Sequence, residues 1–118
     1  MITNFEEITA NLTPEEKELT IEIMQILMKL KKNRPMKSVQ IVELINRRLF
    51  KNKDVKFNGV KLRKYCNYIR SKSLLPIIAT SNGYYISYDK TEIALQIESL
   101  EQRSEAILSS VNGLKFYL

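Results

Sequence analysis

A basic helical pattern that runs directly into a β-hairpin signal constrains this chain more than any other feature. Residues 59–72 place apolar side chains at helical spacing on one face and Lys, Arg and Asn on the other. Residues 81–85 follow with the sequence Ser-Asn-Gly-Tyr-Tyr, in which Asn82-Gly83 supplies the positive φ angles of a tight hairpin turn. The chain therefore has to combine a helix with a basic outer face and a two-stranded antiparallel ribbon.

Charge is strongly segregated along the chain. Residues 29–72 contain fifteen Lys and Arg against two acids, whereas residues 1–28 contain six Glu against one Lys. Residues 89–118 are mildly acidic, and the whole chain has a net charge of +6. A basic block of this density repels itself and destabilises the folded state unless it meets an anion, so it predicts a nucleic-acid partner rather than an ordinary solvated surface.

Composition excludes several kinds of chemistry. The chain has 118 residues, which predicts one domain with a modest core, and it contains no His and one cysteine, Cys66. These counts exclude an internal disulfide, His-based acid–base catalysis and a conventional zinc site, and no glycine-rich phosphate loop is present. We therefore expect no enzymatic activity, no cofactor and no metal.

The apolar residues do not predict contact with a membrane. No apolar run reaches the roughly 20 residues needed to span a bilayer, and the acidic N-terminus differs from the basic-then-apolar pattern of a signal peptide. The apolar faces of the helices are also needed for a core. We therefore expect a cytoplasmic protein.

The acidic N-terminal part predicts two helices. Residues 3–10 fit a short helix with capping-box spacing. Residues 13–16, Thr-Pro-Glu-Glu, are a strong start for a second helix, because Thr can cap it, Pro suits its first position and the acids favour its positive end. The apolar stripe that follows predicts that this second helix continues to about residue 32.

The basic middle predicts a very short strand at Met36 and Lys37 and two further helices. Ser38 fits the N-cap of a helix over residues 39–50, and Asn58 fits the N-cap of the helix over residues 59–72. The expected inward side chains are Val39, Val42, Ile45 and Leu49 on the first helix and Leu62, Tyr65, Cys66 and Ile69 on the second. Residues 75–80 and 84–88 fit the two strands of the hairpin.

Residues 91–118 predict a long helix with a heptad seam. Its positions alternate spacings of four and three: Ile93, Ile97, Leu100, Ser104, Ile107, Val111 and Leu114. Heptad spacing favours dimerisation with the same helix of a second copy, through Ile93, Ile97, Leu100, Ile107 and Val111. Packing of this helix against its own domain is the alternative, and Ser104 weakens a long coiled coil.

The order of the predicted elements resembles the winged helix-turn-helix. Over the C-terminal half, the chain is similar to small winged-helix DNA-binding proteins of bacteriophages and mobile elements, in the pattern Leu62-Arg63-x-x-x-Asn67-x-Ile69-Arg70, Leu75-Pro76-Ile77, Gly83-Tyr84-Tyr85, Glu92, Ile97-x-x-Leu100-x-x-Arg103 and Gly113-Leu114. The resemblance implies a mostly α fold with a small β-hairpin (α+β). It implies a winged-helix domain over residues 1–88, with an N-terminal extension, and a dimerising helix over residues 89–118.

The resemblance also implies that residues 59–72 form the recognition helix and that the Asn82-Gly83 turn is the wing tip. We therefore expect a double-stranded-DNA-binding homodimer that regulates transcription in the cytoplasm of a bacterial host. Arg63 and Asn67 have the chemistry for bidentate contacts to guanine and adenine. The expected DNA contacts are Lys61, Arg63, Lys64, Asn67, Tyr68 and Arg70 on the recognition helix, with Arg47, Arg48, Lys51, Lys53 and Lys56 on phosphates.

Two other functional classes remain open from the residues. A replication or recombination accessory protein would prefer single-stranded or origin DNA, and Tyr68 beside Lys64 and the other basic residues is compatible with base stacking. A protein-interaction module, acting as an inhibitor or adaptor, would instead use the winged helix or the heptad seam to dock a protein partner.

Overall fold

The computed structural model of the chain describes residues 11–118, which form two compact units that divide after Ser87. The first unit contains α1 (Pro14–Glu18), α2 (Thr20–Leu27), α3 (Ser38–Leu49), α4 (Gly59–Ser71), β1 (Ile77–Thr80) and β2 (Gly83–Ile86). The second unit consists of α5 (Lys90–Lys115). The described chain is thus mostly helical with a small antiparallel hairpin, as the α+β prediction expects.

The N-terminal helix begins where predicted but is broken at Leu19. A capping box starts α1: Thr13 Oγ1 accepts the backbone N–H of Glu16 at 3.1 Å, and Glu16 Oε1 accepts that of Thr13 at 2.9 Å. The backbone carbonyl of Glu16 then accepts both the N–H of Leu19 and the hydroxyl of Tyr65. A side-chain donor at this carbonyl interrupts the helical ladder and tightens the turn. The prediction of one helix to residue 32 is therefore wrong, and α2 ends at Leu27.

Helix α3 differs from the prediction in its cap and in its buried face. Its N-cap is Lys37 rather than Ser38, and the backbone N–H of Lys37 donates to a glutamine side chain at 3.0 Å. Ile41 and Ile45 are fully buried, whereas Val39, predicted to point inward, is 67% exposed. Because α3 carries aliphatic residues on more than one side, their spacing alone did not determine which side is buried.

The predicted inward face of α4 is confirmed. Asn58 caps the helix by accepting the backbone N–H of Lys61 at 2.9 Å. The four inward side chains, each at most 2% exposed, are Leu62, Tyr65, Cys66 and Ile69. Helix α4 packs against α2 and α3, so these four side chains form the centre of the core of the first unit.

The buried thiol of Cys66 belongs to this core. Burial raises the pKa of Cys66 to about 11, although nearby Arg70 acts in the opposite direction. The thiol is therefore protonated at neutral pH and packs as a small apolar side chain.

The hairpin forms one residue away from the predicted turn centre. β1 and β2 pair antiparallel with Thr80 opposite Gly83, so Ser81 and Asn82 form the connecting loop. Of the Asn82-Gly83 pair, only Gly83 has a positive φ, at 129°. The prediction of positive φ at both positions is therefore wrong for Asn82.

Of the short strand predicted at Met36 and Lys37, Met36 forms a single bridge to the hairpin, whereas Lys37 is the N-cap of α3. Met36 and Tyr84 exchange both backbone hydrogen bonds, at 3.1 and 2.8 Å. The chain passes so close to Gly83 that a Cβ there would lie 2.6 Å from the carbonyl carbon and oxygen of Met36. Gly83 is therefore needed both for its φ angle and for this close approach.

The second unit is the long predicted helix. Asp89 caps α5 by accepting the backbone N–H of Glu92 at 3.0 Å, and the helix begins at Lys90, one residue before the predicted start. The short helix predicted for residues 3–10 lies outside the described residues. In the described part of the chain, no helix has both the length and the hydropathy required to cross a membrane.

We expect Gly83→Ala to destabilise the first unit by more than about 1 kcal/mol, because the added Cβ meets both an unfavourable φ and the Met36 backbone. Gly113→Ala is the matched control: a Cβ at Gly113 has nothing within 4 Å, and the change should stabilise α5 by up to about 1 kcal/mol. Urea unfolding monitored by circular dichroism measures both effects. Equal stability of the wild type and the Gly83 variant would contradict the role assigned to this glycine.

Candidate nucleic-acid interface

The outward face of α4 carries the predicted basic and amide side chains. Arg63 and Asn67 are exposed and lie one helical turn apart, on the side opposite the buried core residues. The flanking predicted residues are half-buried: Lys61, Lys64, Tyr68 and Arg70. The folding of α4 against α2 and α3 therefore presents Arg63 and Asn67 together on a rigid support.

Lys64 is held by a carboxylate from α1. Its Nζ lies 3.0 Å from Oε1 and 3.3 Å from Oε2 of Glu16, and the two side chains are 14% and 18% exposed. Burial opposes ionisation of Glu16, but hydrogen bonds from Thr13 and the contact with Lys64 outweigh it, so the pKa of Glu16 lies below its ordinary value. The positive charge of Lys64 is thus largely offset within the fold.

Two other predicted contacts also support the fold. Lys56 Nζ donates to the backbone carbonyl of Phe50 at 2.9 Å and so caps the C-terminal end of α3. Arg70 Nε donates to the carbonyl of Ile77 at 3.1 Å and ties α4 to β1. These roles depend on contacts that the sequence spacing does not reveal.

The remaining predicted phosphate contacts lie at the end of α3 and in the loop that follows it. Arg47, Arg48, Lys51 and Lys53 are all exposed. The ammonium groups of Lys53 and Lys61 each lie 6.0 Å from the ring centroid of Phe50. The structure thus places cations in the segment that leads into α4.

An unpredicted amide fixes that segment. The side chain of Asn46 accepts the backbone N–H of Phe57 at 2.7 Å and donates to its carbonyl at 3.1 Å. The ring of Phe57 packs between those of Phe50 and Tyr65, with centroid separations of 5.6 and 5.9 Å. The only signal in the sequence was a polar residue within the apolar pattern of α3.

A cavity of about 390 Å³ lies between α1 and the start of α4. Its charged lining residues are of both signs: Glu15, Glu16, Glu18, Lys53 and Lys61. The rest of the lining is apolar or aromatic: Leu19, Phe50, Phe57 and Tyr65. Glu16 is already paired with Lys64, so the other two carboxylates are balanced by Lys53 and Lys61. The cavity therefore presents no excess of either charge to a polyanion.

Two lysines that the sequence pattern did not single out lie beside the ring of Tyr68. Lys17 Nζ is 5.8 Å from the ring centroid and Lys72 Nζ is 6.0 Å from it. Lys17 comes from α1, whereas Lys72 directly follows α4. The flank of the outward face is thus more basic than α4 alone would make it.

The predicted dimerisation residues lie along α5 with different exposures. Ile93 and Leu100 are half-buried, whereas Ile97, Ile107 and Val111 are 51%, 40% and 41% exposed. Every residue from 101 to 118 is exposed. The C-terminal half of α5 therefore presents an apolar stripe to solvent. Across residues 11–118, no cluster of three or more His, Cys, Asp or Glu could hold a metal ion.

We expect Glu16→Gln to lower stability at neutral pH by about 0.5–1 kcal/mol, since it removes the charge that pairs with Lys64. Because folding lowers the pKa of Glu16, its carboxylate stabilises the fold above the ordinary value of 4.5, and this contribution is lost as the pH falls through the folded-state value. When urea unfolding is measured from neutral pH to below pH 4.5, the free energies of unfolding of the wild type and of Glu16→Gln should therefore converge in acid. Glu18→Gln changes an exposed residue of α1 and is the control. The role assigned to the Glu16–Lys64 pair would be contradicted if the free energies of unfolding of the wild type and Glu18→Gln differed at neutral pH and converged in acid to the same extent.

In comparisons with known proteins, no family model, no curated protein and no solved structure matched this chain.

Proposed function

We propose that this chain is a winged helix-turn-helix protein that binds double-stranded DNA through α4 and regulates transcription for a bacteriophage or mobile element in the bacterial cytoplasm. The observation that carries the proposal is the division of α4 into two faces. One face is almost fully buried, and the other exposes Arg63 and Asn67. A helix supported in this way can enter a major groove without losing core contacts.

The arrangement around the hairpin supports the winged-helix part of the proposal. β1 and β2 follow α4 directly, and Met36, just ahead of α3, bridges to β2. Arg70 joins the end of α4 to β1. The hairpin loop, Ser81-Asn82, carries no cation, so in this proposal α4 rather than the hairpin contributes most of the binding energy.

The proposed phosphate contacts can be divided by their surroundings. Arg47, Arg48, Lys51 and Lys53 are exposed at the end of α3 and in the loop that follows it, and they are suited to neutralise phosphates. Lys64 contributes less, because Glu16 offsets its charge, and Lys56 contributes less, because it caps α3. Arg63 and Asn67 are the proposed base-reading pair.

We propose that a second copy of the chain covers the exposed stripe of α5. The heptad spacing matches a helix pair, and large aliphatic side chains, among them Ile97, Ile107 and Val111, remain 40–51% exposed. A dimer would present two copies of α4 to two half-sites on one duplex.

For DNA binding, we expect Arg63→Glu to weaken duplex binding by about tenfold or more. The change places a carboxylate against DNA on the face of α4 that bears Arg63 and Asn67, which we call the reading face. Arg103→Glu changes the net charge equally on exposed α5 and is the matched control. Binding to labelled duplex and single-stranded DNA across a salt series, by fluorescence anisotropy, measures the effect. Circular dichroism of both variants checks that they remain folded.

The salt series also separates the competing classes. The logarithm of the association constant for duplex DNA should fall linearly with the logarithm of the salt concentration, with a slope of about −0.9 for each phosphate contacted. Equal losses for the two charge reversals would remove α4 from the interface. Preferential binding to single strands, without dependence on sequence, would replace the proposal with the replication class. No binding at low salt would refute a nucleic-acid partner altogether.

For the dimer, we expect Val111→Asp to convert the protein to a monomer, because a carboxylate in an apolar helix interface is costly to desolvate. Ser109→Asp adds the same charge at an exposed position two residues away, outside the seam, and should leave the dimer intact. Sedimentation velocity at several concentrations reports the mass of each protein. A monomeric wild type across the series would refute the dimer.

A further inference from the structure

The single basic residue of the acidic N-terminal segment lies beside α4. Lys17 is the only Lys or Arg among residues 1–28, and its ammonium lies 5.8 Å from the ring centroid of Tyr68. Lys72 reaches the same ring from the C-terminal end of α4, at 6.0 Å. Two elements distant in sequence thus bring their cations to one aromatic side chain.

The ring of Tyr68 is suited to hold these cations in place. It is half-buried and belongs to a helix fixed by its core face, whereas Lys17 and Lys72 are exposed. Cation–π attraction draws ammonium groups towards an aromatic ring, and the long lysine stems leave them free to meet a ligand from solvent. The two distances to the ring place the ammonium groups at most about 12 Å apart, and an anion that both contact would relieve the repulsion between these like charges.

This cluster also differs from the other lysine on the same flank. Lys64 meets the carboxylate of Glu16 at 3.0 Å, so its charge is already offset within the protein. The cations at Tyr68 lie over an aromatic ring, which attracts them without supplying a negative charge that neutralises them. The cluster is therefore better suited than Lys64 to bind an anion.

The cluster flanks the face of α4 that bears Arg63 and Asn67, because Tyr68 lies about 100° around the helix from Asn67. Phosphates border the groove that a recognition helix occupies, and contacts to them fix the register of the protein on DNA. We propose that Lys17, Tyr68 and Lys72 form a phosphate clamp, in which both ammonium groups contact one backbone phosphate of the bound duplex. This inference rests on the proposed function, and it makes α1 part of the DNA interface.

The test is the double variant Lys17→Met, Lys72→Met, which removes both charges and keeps the length of the side chains. Loss of the single clamped phosphate should make the salt slope shallower by about 0.9 and weaken duplex binding severalfold at moderate salt. The control pair Lys90→Met, Lys115→Met removes the same charge from exposed positions on α5 and should leave the slope unchanged. The pair Lys17→Arg, Lys72→Arg should retain the wild-type slope.

Tyr68 provides a second, independent measurement. Tyr68→Leu removes the ring that gathers the cations and should reproduce much of the Met double variant's loss. The clamp would be overturned if the Met double variant had the same salt slope as the α5 control pair. It would also be overturned if the Arg pair lost as much duplex affinity as the Met double variant. If Arg63→Glu still weakens duplex binding in that case, the proposed function stands and only the clamp is lost. Absence of duplex binding by the wild type would refute both.

Discussion

The burial of one face of α4 is the constraint on which the rest of the first unit depends. Leu62 and Ile69 are fully buried, and Tyr65 is 1% exposed while its hydroxyl bonds the backbone of α1 at 2.6 Å. Fully burying side chains of this size stabilises a fold by about 1.5–3 kcal/mol each relative to exposure. The same packing fixes the direction of the opposite face, so the position of Arg63 and Asn67 is a consequence of the core.

Helix α1 connects this core to the charge of the chain. The backbone carbonyl of Glu16 accepts a hydrogen bond from the Tyr65 hydroxyl. The side chain of Glu16 completes the capping box with Thr13 and forms an ion pair with Lys64. One residue of the acidic segment thereby offsets part of the repulsion within the basic middle. The cost is that a cation on the candidate interface is engaged by the protein. The acidic flank therefore stabilises the fold and also limits which part of α4 can meet an anion.

The local elements of the fold could be predicted from sequence where short-range chemistry decides them. The caps at Thr13 and Asn58 and the buried face of α4 depend on residues within a few positions of each other, and they were predicted correctly. The break at Leu19 depends on a hydroxyl 46 positions away along the chain, and the hairpin geometry depends on the approach of Met36 to Gly83. Neither contact has a local signal, so both differences arose from tertiary structure.

The candidate site divides in the same way. The outward exposure of Arg63 and Asn67 follows from the helical period and could be predicted. The state of each neighbouring cation could not be predicted, since Lys56 and Lys64 carry the same charge as Lys17 yet have different partners. A count of basic residues therefore overstates the charge that an anion would meet, because capping and ion pairing use part of it. An aromatic ring supplies no negative charge to offset the cations beside it, so under the proposed function these cations define the candidate interface more sharply than the basic block as a whole.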